Sequence, residues 1–394
     1  MIDVSREQIL AFRQARQHLG ERVAPDRLLE VAAMGLQNTP PTSALLAVGA
    51  RLRDCAPDTL AEALYGRKDL LQFWSLRAAP YIVPTDDTPV FATGLLPDDE
   101  ASCLYLMRGA ADHLRRFGMS ATQSVEVTAA AVAVVLGDGS ALTKDDLGVR
   151  LADHVALVLP ARLRPLWDEP DGLRSNTYGQ SLVRYALSVV SLRGLICVAP
   201  GEGARASRFM LAEVLLGRSV PSMAAEEARA ELVRRYLRFH GPGNAGGFSE
   251  WAGVAPAFAR ASWDLVADEV MAVAVLGRTL SLLARDAEAL LTARPARGVR
   301  LLPPHDPFLA QHDKITLAPD KGLHRRIWRF VGNPGVLLVD GEVAGVWRPQ
   351  KRGNRLTLNV EPFRDLSERV RALIEQEARL LGPLRGVRSV DLAY

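Results

Sequence analysis

A chain of 394 residues with 48% hydrophobic and 24% charged residues folds rather than staying disordered, and at roughly 150 residues per domain it is too long for one ordinary core. Its formal net charge of +3 is too small to assign a polyanionic partner; only clustered cations would do that. Three cysteines, Cys55, Cys103 and Cys197, are odd in number and far apart, which excludes a disulfide framework or a zinc pattern.

The N-terminus lacks the basic start and apolar run of a secretory signal, and the most apolar windows, such as residues 129–137, are too short to span a bilayer. A reducing cytoplasm and no membrane partner are the expectation. Ser5 with Gln8 three positions later forms a capping-box pattern, and Ile9, Leu10, Phe12 and Leu19 continue a helical stripe as far as Gly20. Asp26 reads as the cap of a second helix carrying Leu28, Leu29, Val31 and Met34, which Gly35 ends. Gln37, Asn38 and Thr39 follow, Pro40 and Pro41 hold that stretch away from helical geometry, and Thr42 caps a third helix. Local composition alone favours reading this polar trio as a helix C-terminus and loop over a catalytic loop.

Residues 71–76 and 81–83 then read as short strands either side of Arg77, Ala78, Ala79 and Pro80. Helices followed by a hairpin outline a winged helix, or equally a helical domain. The same grammar repeats: helices at residues 101–117, 125–136 and from Thr143, then strands at 182–187 and 194–198. Residues 222–240 form a long charged helix whose Arg234, Arg235 and Arg238 are either a phosphate-facing edge or a solvated face. Phe248, Ser249, Glu250, Trp251, Ala252 and Gly253, followed by residues 257–266, read as helix, turn, helix.

In the last hundred residues Asp340-Gly341 between β-branched runs marks a hairpin, residues 355–361 supply a further strand, and a helix at 365–381 and a short strand near 387–392 close the chain. Between strands lie Arg348, Lys351, Arg352 and Arg355, four cations with no acid around a Gly-Asn turn. They form a phosphate-binding patch or a solvated tip that deters strand pairing. No Walker loop, dinucleotide fingerprint, HExxH helix or nucleophile elbow is present, and Gly201, Gly203 and Ala204 make only a glycine-containing turn. His305, Asp306, His312 and Asp313 are close in sequence, yet such proximity arises easily by chance; neither metal nor cofactor is expected.

Several of these segments together resemble the AlkZ-like DNA glycosylases, a bacterial family of tandem winged-helix units. They are Gly35, Leu36, Gln37; Trp74, Ser75, Leu76, Arg77 with Val83, Pro84; Tyr236, Leu237 with the Phe248 to Gly253 motif; Leu301 to Leu309, containing His305 and Asp306; and the hairpin ending at Trp347. The resemblance implies a mainly helical α+β chain: a winged-helix unit with the catalytic loop at 1–97, a second at 98–220, a helix-turn-helix unit at 221–298 and a β-hairpin-rich region at 299–394. These would surround a U-shaped cleft for DNA. In the family the loop carries Gln, any residue, then Gln or Asp, and the pair holds the water that attacks the sugar. Gln37 retains the first member, Asn38 lies between, and Thr39 replaces the second. Thr is shorter than Gln and cannot act as a carboxylate base. Tyr81 stands where relatives often have His, and His305 where Phe is usual.

The resemblance therefore implies a DNA glycosylase, acting as a monomer on double-stranded DNA containing alkylated bases. It would hydrolyse the N-glycosidic bond of bulky N7-alkylated purines, such as natural-product guanine adducts or crosslinks. Lysines are scarce near the loop and none is in register as a Schiff-base nucleophile, so hydrolysis without strand cleavage is expected. Arg77, Arg348, Lys351, Arg352, Arg355, His305 and Asp306 would contact DNA. The alternative is a winged-helix protein that binds DNA without chemistry, shielding lesions or regulating transcription.

Overall fold

The computed structural model describes residues 2–172, 176–201, 207–309 and 311–394. The Gly203 and Ala204 turn lies outside them. The capping box closes as the sequence dictates: Gln8 donates its backbone N–H to Ser5 Oγ at 3.2 Å, and Ser5 donates its own to Gln8 Oε1 at 2.9 Å, starting the helix Arg6–Arg16. The second helix departs from its reading. A 3-10 turn, Pro25–Arg27, leads into Leu28–Ala32, and Asp26 makes no capping bond because Pro25 already presets the first turn. Thr42 likewise does not cap Ser43–Gly49; Asn38 Oδ1 accepts from Ala44 N at 3.4 Å instead.

Two small antiparallel sheets share one topology. In the first, Leu36–Gln37 pairs with Pro80–Pro84, which pairs with Leu70–Trp74. In the second, Leu142–Thr143 pairs with Arg208–Leu211, which pairs with Ile196–Val198. A third sheet, missed in the sequence, is the hairpin Val270–Val275 and Arg278–Leu283, completed by Ile2–Val4 lying parallel to Val270–Val275. The stretch 182–187, read as a strand, lies in the helix Tyr178–Ser191. Its start is fixed by another capping box, with Thr177 and Gln180 exchanging 3.2 Å bonds. Residues 101–117 form two helices, Glu100–Leu106 and Ala111–Phe117, rather than one.

The C-terminal sheet has five strands in the order Val299–Leu302, Gly335–Val339, Glu342–Arg352, Arg355–Pro362, Ser389–Ala393. Its Asp340-Gly341 turn has positive φ at both residues, as a two-residue hairpin requires. The basic stretch from Arg348 is strand up to Arg352 rather than loop, because it continues the Glu342–Arg352 ladder. One core joins the chain's ends: Val31, Leu46, Val48 and Ile82 pack with Leu337, Trp347, Leu358 and Leu381.

Candidate active site

Gly35 has φ +75°, and a Cβ there would stand 3.0 Å from the Phe91 ring and 3.3 Å from the Tyr81 ring, so the residue before Leu36–Gln37 must be glycine. The register sets Gln37 opposite Tyr81. Side chains directly across an antiparallel pair meet, and Tyr81 donates its phenolic O–H to Gln37 Oε1 at 3.1 Å. Arg77, in the turn between the other two strands, donates to the same Oε1 at 3.0 Å and also to Tyr81 Oη. A guanidinium has no acceptor, so the atom facing it is the carboxamide oxygen, which fixes the amide's orientation. The nitrogen makes no hydrogen bond among the described residues and is the end left to the cleft.

Arg77 is itself seated by the helix-turn-helix motif. It donates to the Trp251 carbonyl, and Gly253, at φ +78°, approaches so closely that a Cβ would meet Arg77 Cα at 2.9 Å. Two motifs whose contacting residues are 174 positions apart thus build one corner. Burial pushes the Tyr81 phenol up, against the pull of Arg77, so it stays protonated and able to donate. Burial lowers His305, with Arg77 adding to the effect, so a neutral imidazole faces the same space.

Gln37, Arg77, Tyr81 and His305 line a cleft of about 750 Å³. Its other walls include Arg108, Lys144, Arg184 and Tyr185 from the second helical region, Glu250 and Trp251, and the segments around Trp328 and Asn333. Arg184 pairs with Asp145 at 2.9 Å, and the Lys144 ammonium lies 5.2 Å from the centre of the Trp74 ring. Sequence reading missed this second wall, since nothing in those helices distinguishes a cleft-facing cation from a solvated one. Glu250 was within reach, standing inside the Phe248 to Gly253 motif.

The remaining expected site residues are committed to other contacts. Asn38 gives its side chain to Gln72, at 3.3 Å, and to the cap of Ser43–Gly49. Thr39 Oγ1 is buried without a hydrogen-bond partner among the described residues and does not line the cleft. Asp306, at the cleft's floor, is 2% exposed and holds the wholly buried Arg51 in a bidentate pair at 2.7 and 2.8 Å. Asp313 similarly binds Arg13 at 2.8 Å, and no group of three potential metal ligands occurs among the described residues. Arg234 and Arg235 form ion pairs with Glu231, Glu269 and Asp87 rather than a free edge. On the hairpin, Arg348 donates to the Gly332 carbonyl, Lys351 to the carbonyls of Arg385 and Gly386, and Arg355 pairs with Asp391 at 3.2 Å. Arg352 is exposed at its end. No helix among the described residues is long and apolar enough to cross a membrane.

Known proteins place this architecture. A curated relative from Streptomyces sahachiroi, named interstrand DNA cross-link repair glycosylase, is 28% identical over 399 residues, covering 96% of each chain. The solved structure of the Streptomyces sahachiroi DNA glycosylase AlkZ superposes with a TM-score of 0.76 at 24% identity, covering 100% of both chains. The sequence also matches the family described as DNA glycosylase AlkZ-like over residues 13–384. On these grounds the chain belongs to the AlkZ-like DNA glycosylase family.

Proposed function

We propose that this protein is a monofunctional, monomeric glycosylase that releases bulky N7-alkylated purines from double-stranded DNA, with Gln37 as the residue that holds the attacking water. The observation that carries the reading is the Gln37 carboxamide, oriented by Arg77 and Tyr81 at the wall of a cation-lined cleft.

Alkylation at N7 makes a purine cationic, so the glycosidic bond already has a good leaving group and needs no strong general acid. When the C1′–N9 bond breaks, its electron pair neutralises the departing base; the water oxygen bonds to C1′ and its proton passes to solvent. What the protein supplies is placement and electrostatics. The two donors on Gln37 Oε1 polarise the amide and strengthen its N–H groups. Such an N–H holds a water by one lone pair and leaves the other for C1′. Tyr81 and Arg77 are then positioning residues, and Tyr81 replaces what the second loop position lacks in Thr39. Unmodified bases, with far poorer leaving groups, are refused.

A space of about 750 Å³ is at the large end of sites that take a drug-sized ligand whole, which supports an adduct larger than a methyl group. The name of the Streptomyces sahachiroi relative extends the proposal to cross-linked guanines. Arg352 and its neighbours on the basic hairpin are assigned to the phosphates. Lys144 is the lysine of the cleft, and its seat on Trp74 argues against a Schiff base. The test is base release from duplexes carrying N7-guanine adducts of increasing size, with borohydride present in parallel. Release from alkylated but not undamaged duplex, with no trapped adduct, is expected. Binding without release from any substrate would leave a DNA-binding protein without chemistry.

A further inference from the structure

The most exposed large apolar side chains are neighbours. Phe330 is 105% exposed and Val331 79%, and the next aromatic in that ranking, Tyr394, reaches only 52%. A ring held wholly in water contributes nothing to the fold, so its presence there points to a partner.

The loop that carries the pair is rigidly rooted. On its N-terminal side Ile327 is buried and Trp328 donates its indole N–H to the Leu309 carbonyl at 2.9 Å. On its C-terminal side the chain enters the fully buried strand Gly335–Val339. Asn333 Oδ1 accepts from Arg329 N at 2.7 Å, and Arg348 donates to the Gly332 carbonyl at 3.2 Å, closing the base of the loop. Both ends of the loop belong to the wall of the cleft, through Trp328 and Asn333. Between 321 and 335 the sequence has Lys321, Arg325, Arg326 and Arg329 and no acid, with Arg326 held by Glu361 at 2.6 Å.

We propose that Phe330 and Val331 are a wedge that enters the base stack of duplex DNA beside the damaged nucleotide and opens the step from which that nucleotide tilts toward Gln37. Apolar wedges flanked by cations act in this way on DNA, the cations holding phosphates while the ring takes the place of a stacked neighbour. Reach agrees with this: Phe330 lies three positions before Asn333, at most about 11 Å of chain, or about three base-pair steps. The arginines favour DNA over a second copy of this chain, whose matching patch would repel them. Arg348, on this account, braces the wedge. The inference rests on the proposed glycosylase reading for its purpose, and its test is independent of turnover.

The probe is a duplex with one nitrogen-mustard N7-guanine monoadduct and 2-aminopurine beside it, whose fluorescence rises when the stack opens. Wild type and Gln37→Ala should both raise the signal. The double variant F330A/V331A, altered only at exposed side chains, should bind with little change in affinity at low salt but give no rise. Its base release should be slower by roughly fivefold to a hundredfold, the worth of one aromatic–base stack, and Phe330→Trp should restore both readouts. A double variant with wild-type fluorescence and release overturns the wedge, as does a wild type that gives no rise. So does a change confined to the sedimentation coefficient, which would assign the patch to self-association. Wild-type release by Gln37→Ala would overturn the catalytic assignment alone.

Discussion

Asp306→Ala discriminates sharply between a DNA-facing and a structural carboxylate. In the folded protein both its oxygens bind the Arg51 guanidinium, at 2.7 and 2.8 Å, and Oδ1 also accepts from Phe308 N at 3.0 Å. Both partners have no exposed side-chain surface. Removing the acid leaves Arg51 with three oxygens, Gln17 O, Ala47 O and Gln17 Oε1, but with its charge uncompensated in the interior. Breaking a buried pair in this way costs about 3–5 kcal/mol, and the surviving carbonyl contacts set the expectation near the lower end. Urea unfolding at pH 7.5 measures it. The companion variant Arg51→Met should be less damaging when combined with Asp306→Ala than alone, with a coupling of about 2–3 kcal/mol from the double-mutant cycle. Under native conditions the affinity of Asp306→Ala for undamaged duplex, and its salt dependence, should match wild type. A variant as stable as wild type within about 0.5 kcal/mol but altered in DNA affinity would refute the reasoning and return Asp306 to the DNA surface.

Other outcomes follow from the same geometry. Thr39→Ala should leave base release close to wild type, whereas Tyr81→Phe should lower kcat about threefold to tenfold, the worth of one hydrogen bond, with KM unchanged. Single-turnover kinetics on one adduct compares the two, and a severe Thr39→Ala defect beside a silent Tyr81→Phe would reverse the assignment. Arg352→Ala should reduce the slope of log affinity against log salt by about one, and Arg355→Ala by less because Asp391 already neutralises that side chain; titrations at several salt concentrations distinguish them. Burial holds His240 and His312 well below the ordinary histidine range. The unfolded chain therefore binds protons that the folded one refuses, so stability is intact above pH about 6.5 and falls as pH drops below it, by up to about 1.4 kcal/mol per pH unit for each histidine. Unfolding midpoints from pH 8 to 5.5 should show this, with His240→Phe flatter than wild type; a flat wild-type profile would contradict it.

What the sequence made legible was local. The Asp340-Gly341 hairpin, the capping box at Ser5 and the helix-turn-helix around Gly253 are written in residues within a few positions of one another. The helix Tyr178–Ser191 was misread because its apolar run suits a strand as well, although the Thr177 and Gln180 spacing carried the answer. The hairpin turning at Leu276-Gly277 lacks the Asn-Gly or Asp-Gly signature, and the parallel pairing of Ile2–Val4 with Val270–Val275 spans most of the chain. No local pattern encodes either. At the site, family resemblance picked out Gln37, but its contacts depend on the register that sets it against Tyr81 and on the docking of Gly253 under Arg77. Thr39 and Asp306 looked available in one dimension and are turned inward in three.

The account stands on an oriented Gln37 amide acting on an alkylated nucleotide. Its most direct test is single-turnover release of a nitrogen-mustard N7-guanine adduct from duplex DNA by wild type and Gln37→Ala, both saturating the substrate. The account predicts release by wild type and a rate lower by about a hundredfold or more in the variant, the loss expected for one preorganised donor. Equal rates at equal occupancy would contradict it.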